Sequence, residues 1–286
     1  MAESTENRIP NVLTVAGVDP SGGAGVLADV KAMSACGAYA CGVVTALTAQ
    51  NTCGVTGVLP IAPDFVREQI DTLFADVRID AVKIGMLDNA VLIGVVAEAL
   101  EKYRPKYVVV DPVMVAKSGD RLLREEAVAA LRDRLLPLAT VLTPNIPEAL
   151  SLLGKDDHVT EEDLPDLARD LWQLMKRRDA WVYLKGGHLE GEESPDLLFN
   201  GVVSIPFTAH RIRTKNTHGT GCTLSSAIAA RLPQDPDVPA ACRRAKEYLT
   251  GAVRHADELS AGTGHGPTHH FWQLWSDRML QNVNKI

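Results

Sequence analysis

Long apolar runs are absent from this sequence. No stretch approaches the ~20 apolar residues that an α-helix needs to cross a bilayer, and residues 1–10 are polar, unlike the apolar region of a signal peptide. We therefore expect a flexible N-terminus over residues 1–10 and a cytoplasmic protein without a membrane partner.

Basic residues are in deficit. Lys and Arg number 29 against 36 Asp and Glu, which gives a net charge of -7. Nucleic acids and anionic membrane surfaces repel a protein with this balance of charge. We therefore expect its partners to be small molecules and not nucleic acids.

Cysteine pairs at metal-binding spacing and two common nucleotide motifs are also lacking. The five cysteines are odd in number and never occur as Cys-x-x-Cys, which favours a reducing cytoplasm over a disulfide framework or a zinc site. The glycine-rich turn at Val18–Gly25 has neither the Lys-Ser/Thr of a Walker loop nor the Gly-x-Gly-x-x-Gly spacing. Both nucleotide motifs are excluded for this turn.

The sequence does contain repeated pairs of an apolar strand and a helix. The strand patterns lie at Asn11–Gly17, Ala40–Leu47, Asp80–Gly85, Tyr107–Asp111, the start of 141–148 and Trp181–Gly187. Such alternation predicts an α/β fold with a central, mostly parallel sheet and helices on both faces. We expect a single domain over residues 11–275, followed by a C-terminal tail over 276–286.

Other segments are predicted to flank this sheet. Val55–Ile61 is predicted as a short strand outside the main sheet, after a polar turn at Thr48–Gly54. Leu197–Phe207 is predicted to form a hairpin, because Asn200-Gly201 is a strong turn signal. A C-terminal helix is predicted at about Ala240–Leu259.

Thr214–Ser225 is the most distinctive segment of the chain. Gly219 and Gly221 lie in a polar run that leads into a helical pattern beginning at Leu224. The first N–H groups of a helix lack intrahelical partners and, with the helix dipole, favour an anion such as phosphate. The same field would stabilise a thiolate at Cys222, where a pKa can fall from about 8.5 to ~3.5–7.5. The alternative is a turn before an ordinary helix, with Cys222 as a small packed residue.

Polar residues at the ends of the predicted strands point to phosphoryl transfer. They are two carboxylates, an amide and a cation: Asp111, Glu148, Asn145 and Lys185. Carboxylate and amide oxygens are ligands that Mg²⁺ uses, and lysines and helix N-termini neutralise phosphate oxygens. Phosphoryl transfer needs mainly such positioning and charge stabilisation. The alternative for a single acid is a helix cap, which is also the better interpretation of Asp19 and Asp29 from position alone.

Several segments together resemble the bacterial hydroxymethylpyrimidine/phosphomethylpyrimidine kinases of thiamine biosynthesis, within the ribokinase-like superfamily. The matching segments, in order, are Ala16–Gly25, Thr45–Thr52, Lys83–Met86, Asp111–Met114, Thr143–Glu148, Lys185–His188, His218–Ser225 and Gly266–Phe271. The resemblance implies a single-domain ribokinase-like α/β fold, ATP as the phosphoryl donor, Mg²⁺ and a homodimer. Single motifs are shared with pyridoxal kinases, whereas the whole set is specific.

The resemblance also implies roles for individual residues. Those near the pyrimidine substrate are Gly17, Asp19, Gln50, Met86 and Val113. Those that bind ATP are Asp111, Asn145, Lys185 and Thr220, and those that hold the metal are Glu148 and Asp111. The catalytic set comprises the glycines of the anion loop and the thiol that takes the hydroxyl proton: Gly219, Gly221 and Cys222.

The chemistry of two of these residues fits an aminopyrimidine. The Gln50 amide offers an acceptor and donors in one plane, which suits an amino group beside a ring nitrogen. Met86 is soft enough to pack against an aromatic face. The alternatives are that Met86 is an ordinary core residue and that Gln50 belongs to a turn.

The resemblance implies a specific reaction. It is the ATP-dependent phosphorylation of 4-amino-5-hydroxymethyl-2-methylpyrimidine to the monophosphate and then to the diphosphate. A pyridoxal or pyridoxine kinase is one alternative, although such enzymes usually have Gly-Thr-Gly-Asp where this chain has Gly-Thr-Gly-Cys. A catalytically silent pyrimidine-binding relative is the other, and the joint presence of Asp111, Glu148, Lys185 and Cys222 argues against it.

Overall fold

The computed structural model describes residues 8–114 and 125–275. Residues 1–7 of the predicted N-terminal segment and the predicted tail over 276–286 lie outside the described residues. Within the described part, no helix is both long and apolar enough to cross a membrane.

The described strands form one nine-stranded sheet. They are β1 (Asn11–Val18), β2 (Tyr39–Asn51), β3 (Gly54–Pro60), β4 (Ala81–Ile84), β5 (Tyr107–Val110), β6 (Val141–Leu142), β7 (Trp181–Lys185), β8 (Glu193–Phe199) and β9 (Ser204–His210). The spatial order is β3-β2-β1-β4-β5-β6-β7-β8-β9. From β2 to β7 all neighbours are parallel, and the outer strands are antiparallel. The mostly parallel sheet predicted from the sequence is confirmed.

The prediction for the first edge of the sheet is wrong in two respects. The strand expected outside the main sheet is β3, which pairs antiparallel with β2 from Ala46↔Pro60 to Asn51↔Gly54. The polar turn expected at Thr48–Gly54 is limited to Thr52 and Cys53; the residues before it belong to β2, so Gln50 lies on a strand. A polar run was mistaken for a turn because β2 is only partly buried there and carries no core signal. The second predicted hairpin, at β8 and β9, is confirmed.

Helices cover both faces of the sheet, as predicted. They are α1 (Gly25–Ala35), α2 (Pro63–Asp76), α3 (Ala90–Tyr103), α4 (Glu125–Ala130), α5 (Ile146–Leu153), α6 (Leu164–Met175), α7 (Thr220–Arg231), α8 (Val238–Arg254) and α9 (Trp272–Trp275). Alternate residues of a strand point to opposite faces. Leu13 therefore packs in one core with α2, α3, α5 and α6, whereas Val12 packs in a second core with α1, α7 and α8.

Helix α7 begins earlier than its apolar pattern indicates. The sequence predicted a start at Leu224, but the helix starts at Thr220 with Gly219 as its N-cap residue. The first turn of α7 therefore carries Gly221 and Cys222, so both lie in the helix and not in the loop before it. Helix α8 ends at Arg254 and is shorter than the predicted Ala240–Leu259, because a short 3-10 turn, Ala256–Glu258, follows it.

Candidate active site

The predicted strand-end residues lie together. Lys185 is the last residue of β7, and Asp111 directly follows β5. Lys185 Nζ donates to Asp111 Oδ1 at 3.1 Å and lies 3.7 Å from Glu148 Oε2. All three residues are largely or fully buried, and the lysine therefore holds two carboxylates at one edge of the sheet.

Glu148 and Asn145 form the start of α5. Asn145 Oδ1 accepts from the Glu148 N–H at 2.8 Å, and Glu148 Oε2 accepts from the Asn145 N–H at 2.8 Å. This reciprocal capping box satisfies two N–H groups of the helix start. The helix-cap interpretation is thus correct for Glu148 as far as Oε2 is concerned. The cap leaves Oε1 as the carboxylate oxygen that a ligand would use.

The two carboxyl groups at this edge differ in their tendency to ionise. Burial raises the pKa of Glu148 to about 7, even though Lys185 opposes the shift. Burial also disfavours ionisation of Asp111, but the nearby Lys185 and Lys83 outweigh it and lower the pKa of this carboxyl. Lys185 keeps its charge, because its pKa is raised by Asp111 and Glu148 against the effect of burial. A charged Lys185–Asp111 pair therefore lies next to an acid that titrates near neutrality.

The first turn of α7 packs directly onto this pair. Ser225 Oγ donates to Asp111 Oδ2 at 3.1 Å. A Cβ at Gly221 would lie 3.3 Å from Lys185 Nζ. Gly219 has φ +76°, and a Cβ there would lie 1.7 Å from the Gly23 carbonyl oxygen. Gly219 is thus required by its backbone conformation and by its approach to Gly23, whereas a Cβ at Gly221 would crowd only the end of the flexible Lys185 side chain.

The expected low pKa of Cys222 is wrong. The thiol lies in the first turn of α7, as an activated thiol should, but burial raises its pKa to about 11. Lys83 and a hydrogen bond from the Gly25 backbone act in the opposite direction and are outweighed. The sequence places the residue at the helix start but does not reveal how far the surrounding protein shields the thiol from water.

Lys83 and Asp29 form a buried ion pair beneath the site, which the sequence did not predict. Lys83 Nζ lies 2.9 and 2.8 Å from the two Asp29 oxygens, and both side chains are fully buried. Asp29 also accepts from Thr14 Oγ1 at 2.6 Å and from Ser226 Oγ at 2.7 Å. Asp29 is not a helix cap, since it lies within α1. A lysine inside the apolar strand β4 was the only available signal of a buried partner.

Gly17 and Met86 lie next to each other at the ends of β1 and β4. A Cβ at Gly17 would lie 2.9 Å from Met86 Cε, so the glycine makes room for the thioether. Thr45 Oγ1 donates to the Met86 carbonyl at 3.0 Å. Met86 is only partly buried, in contrast to the core residues of β4 that precede it. Met86 is therefore accessible to a ligand, unlike an ordinary core residue.

Asp19 is held by its own loop and by His218. Its Oδ1 accepts from the Ser21 N–H, and its Oδ2 accepts from Ser21 Oγ and the Ala24 N–H. His218 Nε2 lies 2.7 Å from Asp19 Oδ2 and 3.4 Å from Gln50 Nε2. Burial acts against ionisation of Asp19, but the hydrogen bonds from His218 and Ser21 lower its pKa overall. His218 thus belongs to the site, although only its place in the Gly-Thr-Gly-Cys segment pointed to it.

Two further predicted residues flank the same region. Val113 lies two residues after Asp111 and donates its N–H to the Asp111 carbonyl at 2.8 Å. Thr220 is the first residue of α7, and its N–H lies 3.4 Å from the Thr217 carbonyl oxygen. A turn thus places Val113 beside Asp111, and Thr220 directly precedes Gly221, which lies close to Lys185.

A magnesium ion would depend on few protein ligands here. No group of three or more His, Cys, Asp or Glu residues suited to a metal occurs in residues 8–114 and 125–275. The Asp111 oxygens already accept from Lys185, Thr143 and Ser225. Mg²⁺ commonly uses one or two carboxylates together with water and substrate phosphates. Glu148 and Asp111 fit that mode of binding.

Comparisons with known proteins agree with this geometry. The family described as phosphomethylpyrimidine kinase matches residues 19–269. The hydroxymethylpyrimidine/phosphomethylpyrimidine kinase of Escherichia coli strain K12 is 51% identical over 265 residues, which cover 93% of this chain and 98% of that protein. Sequence similarity therefore extends over nearly all of both chains.

Solved structures agree with the fold. The phosphomethylpyrimidine kinase of Clostridium difficile 630 matches with a TM-score of 0.75 and 41% identity, and covers 85% of this chain and 99% of that one. The pyridoxal kinase of Bacillus subtilis, solved as an ADP complex, matches with a TM-score of 0.85 and 34% identity, and covers 94% and 100%. Both neighbours have the ribokinase-like fold expected from the sequence.

Proposed function

Because the chain belongs to the phosphomethylpyrimidine kinase family, we propose that it phosphorylates 4-amino-5-hydroxymethyl-2-methylpyrimidine with ATP, first to the monophosphate and then to the diphosphate. The observation that carries this proposal is the contact of Lys185 with both Asp111 and Glu148 at the start of α7. Cation, carboxylates and helix N-terminus there surround one place where a polyphosphate would bind.

Each group supplies part of the charge stabilisation that phosphoryl transfer requires. Lys185 and the N–H groups at Gly219–Gly221 neutralise phosphate oxygens. Asn145 orients Glu148 through the capping box, and Thr220 faces the phosphates at the helix start. Glu148 and Asp111 would hold Mg²⁺, which would supply positive charge against the phosphates. The protein therefore acts mainly by positioning the donor.

The pyrimidine binds on the opposite side of the first turn of α7. Gly17 and Met86 form an apolar surface for the ring, with Val113 beside it, and Gln50 reads the polar edge. Cys222, in the first turn of α7, takes the proton of the hydroxymethyl group. The chemistry of the ring explains why an amide and a thioether occupy this end of the site.

The decisive test is a coupled assay with three acceptors: the hydroxymethylpyrimidine, its monophosphate and pyridoxal. We expect turnover of both pyrimidines, Mg²⁺ dependence, and a diphosphate ester in the phosphorus NMR spectrum of the final product. Monophosphate alone after exhaustive incubation would remove the second activity. Turnover of pyridoxal without turnover of either pyrimidine would replace the proposed function with that of a pyridoxal kinase.

A second test addresses Cys222 directly. A general base typically contributes ~10²–10⁴-fold to the rate, and we expect the lower half of that range because proton loss is late in a loose transition state. Cys222→Ala should therefore lower kcat about 100-fold while the KM values for ATP and the pyrimidine change little. Cys222→Asp should recover part of kcat, because it supplies a carboxylate base. Near-normal turnover in Cys222→Ala would mean that the thiol only fills space.

A further inference from the structure

Four side chains beside the proposed pyrimidine site form a continuous polar chain. Asp19 Oδ2 lies 2.7 Å from His218 Nε2, and His218 Nε2 lies 3.4 Å from Gln50 Nε2. At the other end of the amide, Gln50 Oε1 lies 3.2 Å from Thr48 Oγ1, which lies 3.0 Å from the Val18 carbonyl oxygen. Asp19 and His218 are buried, whereas Gln50 is only partly buried.

The direction of the first hydrogen bond follows from Asp19. An ionised carboxylate only accepts, and Asp19 Oδ2 already accepts from Ser21 Oγ and the Ala24 N–H. His218 Nε2 must therefore carry its hydrogen and donate it to Asp19. A ring nitrogen that carries a hydrogen has no free lone pair in the ring plane. His218 consequently offers Gln50 no acceptor, and an amide N–H turned toward it would stay unpaired.

The direction of the hydrogen bond at Thr48 follows from Val18 in the same way. A backbone carbonyl only accepts, so the single hydroxyl hydrogen of Thr48 goes to Val18. Thr48 Oγ1 then presents lone pairs to Gln50. A half-turn of the Gln50 amide exchanges its oxygen and nitrogen without changing its shape, so the partners decide its orientation. The orientation that suits both partners has the Gln50 amide N–H donating to Thr48 and the amide oxygen facing the His218 N–H.

We propose that Asp19 and His218, together with Thr48, fix the orientation of the Gln50 amide and thereby make it selective for an aminopyrimidine edge. The fixed amide retains one N–H and one oxygen lone pair for a ligand. These match a ring nitrogen that accepts and an adjacent amino group that donates. The inference rests on the proposed function, in which Gln50 contacts the pyrimidine. Asp19 and His218 are positioning residues, since they act through Gln50.

The analogue with oxygen in place of the 4-amino group tests this selectivity, because its ring N–H donates and its exocyclic oxygen accepts. To bind it, the Gln50 amide must reverse and lose its complementary bonds to Thr48 and His218. The wild-type enzyme should therefore prefer the amino substrate over the 4-oxo analogue in kcat/KM by ~10–100-fold, the range expected for unpaired polar groups. An amide that turns freely would show a much smaller preference.

The experiment compares that ratio in the wild type, His218→Ala, His218→Gln and Asp19→Asn. We expect His218→Ala and Asp19→Asn to lower the ratio about tenfold, within the range set by unpaired polar groups, with KM for ATP unchanged. His218→Gln keeps an N–H donor and should retain more of the ratio. His158→Ala replaces an exposed histidine far along the chain and serves as the matched control. A merely structural role would lower kcat/KM for both substrates and leave their ratio unchanged.

An unchanged ratio in both His218→Ala and Asp19→Asn overturns the inference. If His218→Ala does not fold, Asp19→Asn decides the question, because it keeps the shape of the carboxylate. Gln50→Leu separates this failure from that of the proposed function. If Gln50→Leu loses the preference while the Asp19 and His218 variants keep it, Gln50 contacts the substrate but Asp19 and His218 do not orient its amide. An unchanged preference in Gln50→Leu removes Gln50 from the pyrimidine site altogether.

Discussion

Cys222 and Glu148 are site residues whose surroundings favour the uncharged, protonated form. Burial raises the pKa of the thiol to about 11 and that of the carboxyl to about 7. Lys83 acts on the Cys222 thiol and Lys185 on the Glu148 carboxyl, but each lysine is paired with an aspartate. Lys83 pairs with Asp29 and Lys185 pairs with Asp111, so neither reverses the effect of burial.

The state of Cys222 predicts how turnover depends on pH. If the thiolate takes the hydroxyl proton and its pKa is about 11, kcat should rise with pH throughout the range in which the protein stays folded. Iodoacetamide labelling of Cys222, followed by mass spectrometry of its peptide, should show a midpoint well above the ordinary thiol value of about 8.5. Cys53 is exposed and provides the internal reference. A flat kcat profile with such a labelling midpoint would exclude the thiolate as the base.

Glu148→Gln should separate stability from function. A carboxyl whose folded-state pKa is raised from 4.5 to about 7 stabilises the fold fully below its unfolded-state pKa. That contribution is lost as pH rises through the folded-state pKa. Without ligands, the Tm of Glu148→Gln relative to the wild type should therefore increase between pH 4.5 and 7 and level off above.

The activity of Glu148→Gln should be lower than that of the wild type. Loss of the carboxylate should weaken Mg²⁺-dependent turnover, and altered partners of a bound metal commonly cost ~10–100-fold. Full activity with unchanged Mg²⁺ dependence in Glu148→Gln would mean that the acid is only a helix cap.

At the scale of elements, helix α7 connects the two sides of the site. Ser225 donates to Asp111, which follows β5, and the next residue, Ser226, donates to Asp29 in α1. Asp29 in turn binds Lys83 of β4 and Thr14 of β1. Two carboxylates thus hold the middle of α7 against the sheet and against α1, which sets the position of the glycine loop that precedes it.

Removal of one partner of the Lys83–Asp29 ion pair should strongly destabilise the fold. Lys83→Met leaves the Asp29 carboxylate buried without its cation, and removal of one partner of a buried pair typically costs ~3–5 kcal/mol. The free energy of unfolding in denaturant should fall by about this amount. The double variant Lys83→Met/Asp29→Leu should recover much of the loss, because apolar replacement of both partners is often close to neutral. Additive losses in the double variant would show that the two charges do not stabilise each other.

At the scale of the whole molecule, the β2–β3 hairpin leaves an apolar surface uncovered. Leu47 and Leu59 are paired across the hairpin, with exposed fractions of 45% and 63%. Cross-strand neighbours of this type lie on the same face of a sheet. A homodimer, which the resemblance implies, would cover them.

We therefore expect light scattering to give about twice the monomer mass of 30.8 kDa, and Leu59→Glu to shift the protein toward the monomer. Val202→Glu changes a still more exposed apolar residue at the β8–β9 turn and is the control, with no expected effect on mass. A wild-type protein of monomer mass would contradict the homodimer. A dimeric Leu59→Glu variant would place the interface elsewhere.

The sequence alone determined the parallel sheet, its two helical layers and the edge at which polar groups meet. These depend on local signals: apolar runs such as Tyr107–Val110, and an acid or a lysine directly after a strand, as at Asp111 and Lys185. The order of strands along the chain then brings such residues to the same edge. The short strand β3 was assigned outside the sheet because its residues carry no core pattern.

The tertiary structure alone decided which groups are paired and which are charged. Asp19 and His218 are 199 positions apart, and Lys83 and Asp29 are 54 apart, so no local pattern connects them. The pKa of Cys222 is a further case, because the helix start that lowers it is visible in the sequence whereas the burial that raises it is not. Burial and the choice of partners arise only when distant segments pack together, and they determine the protonation state of the site.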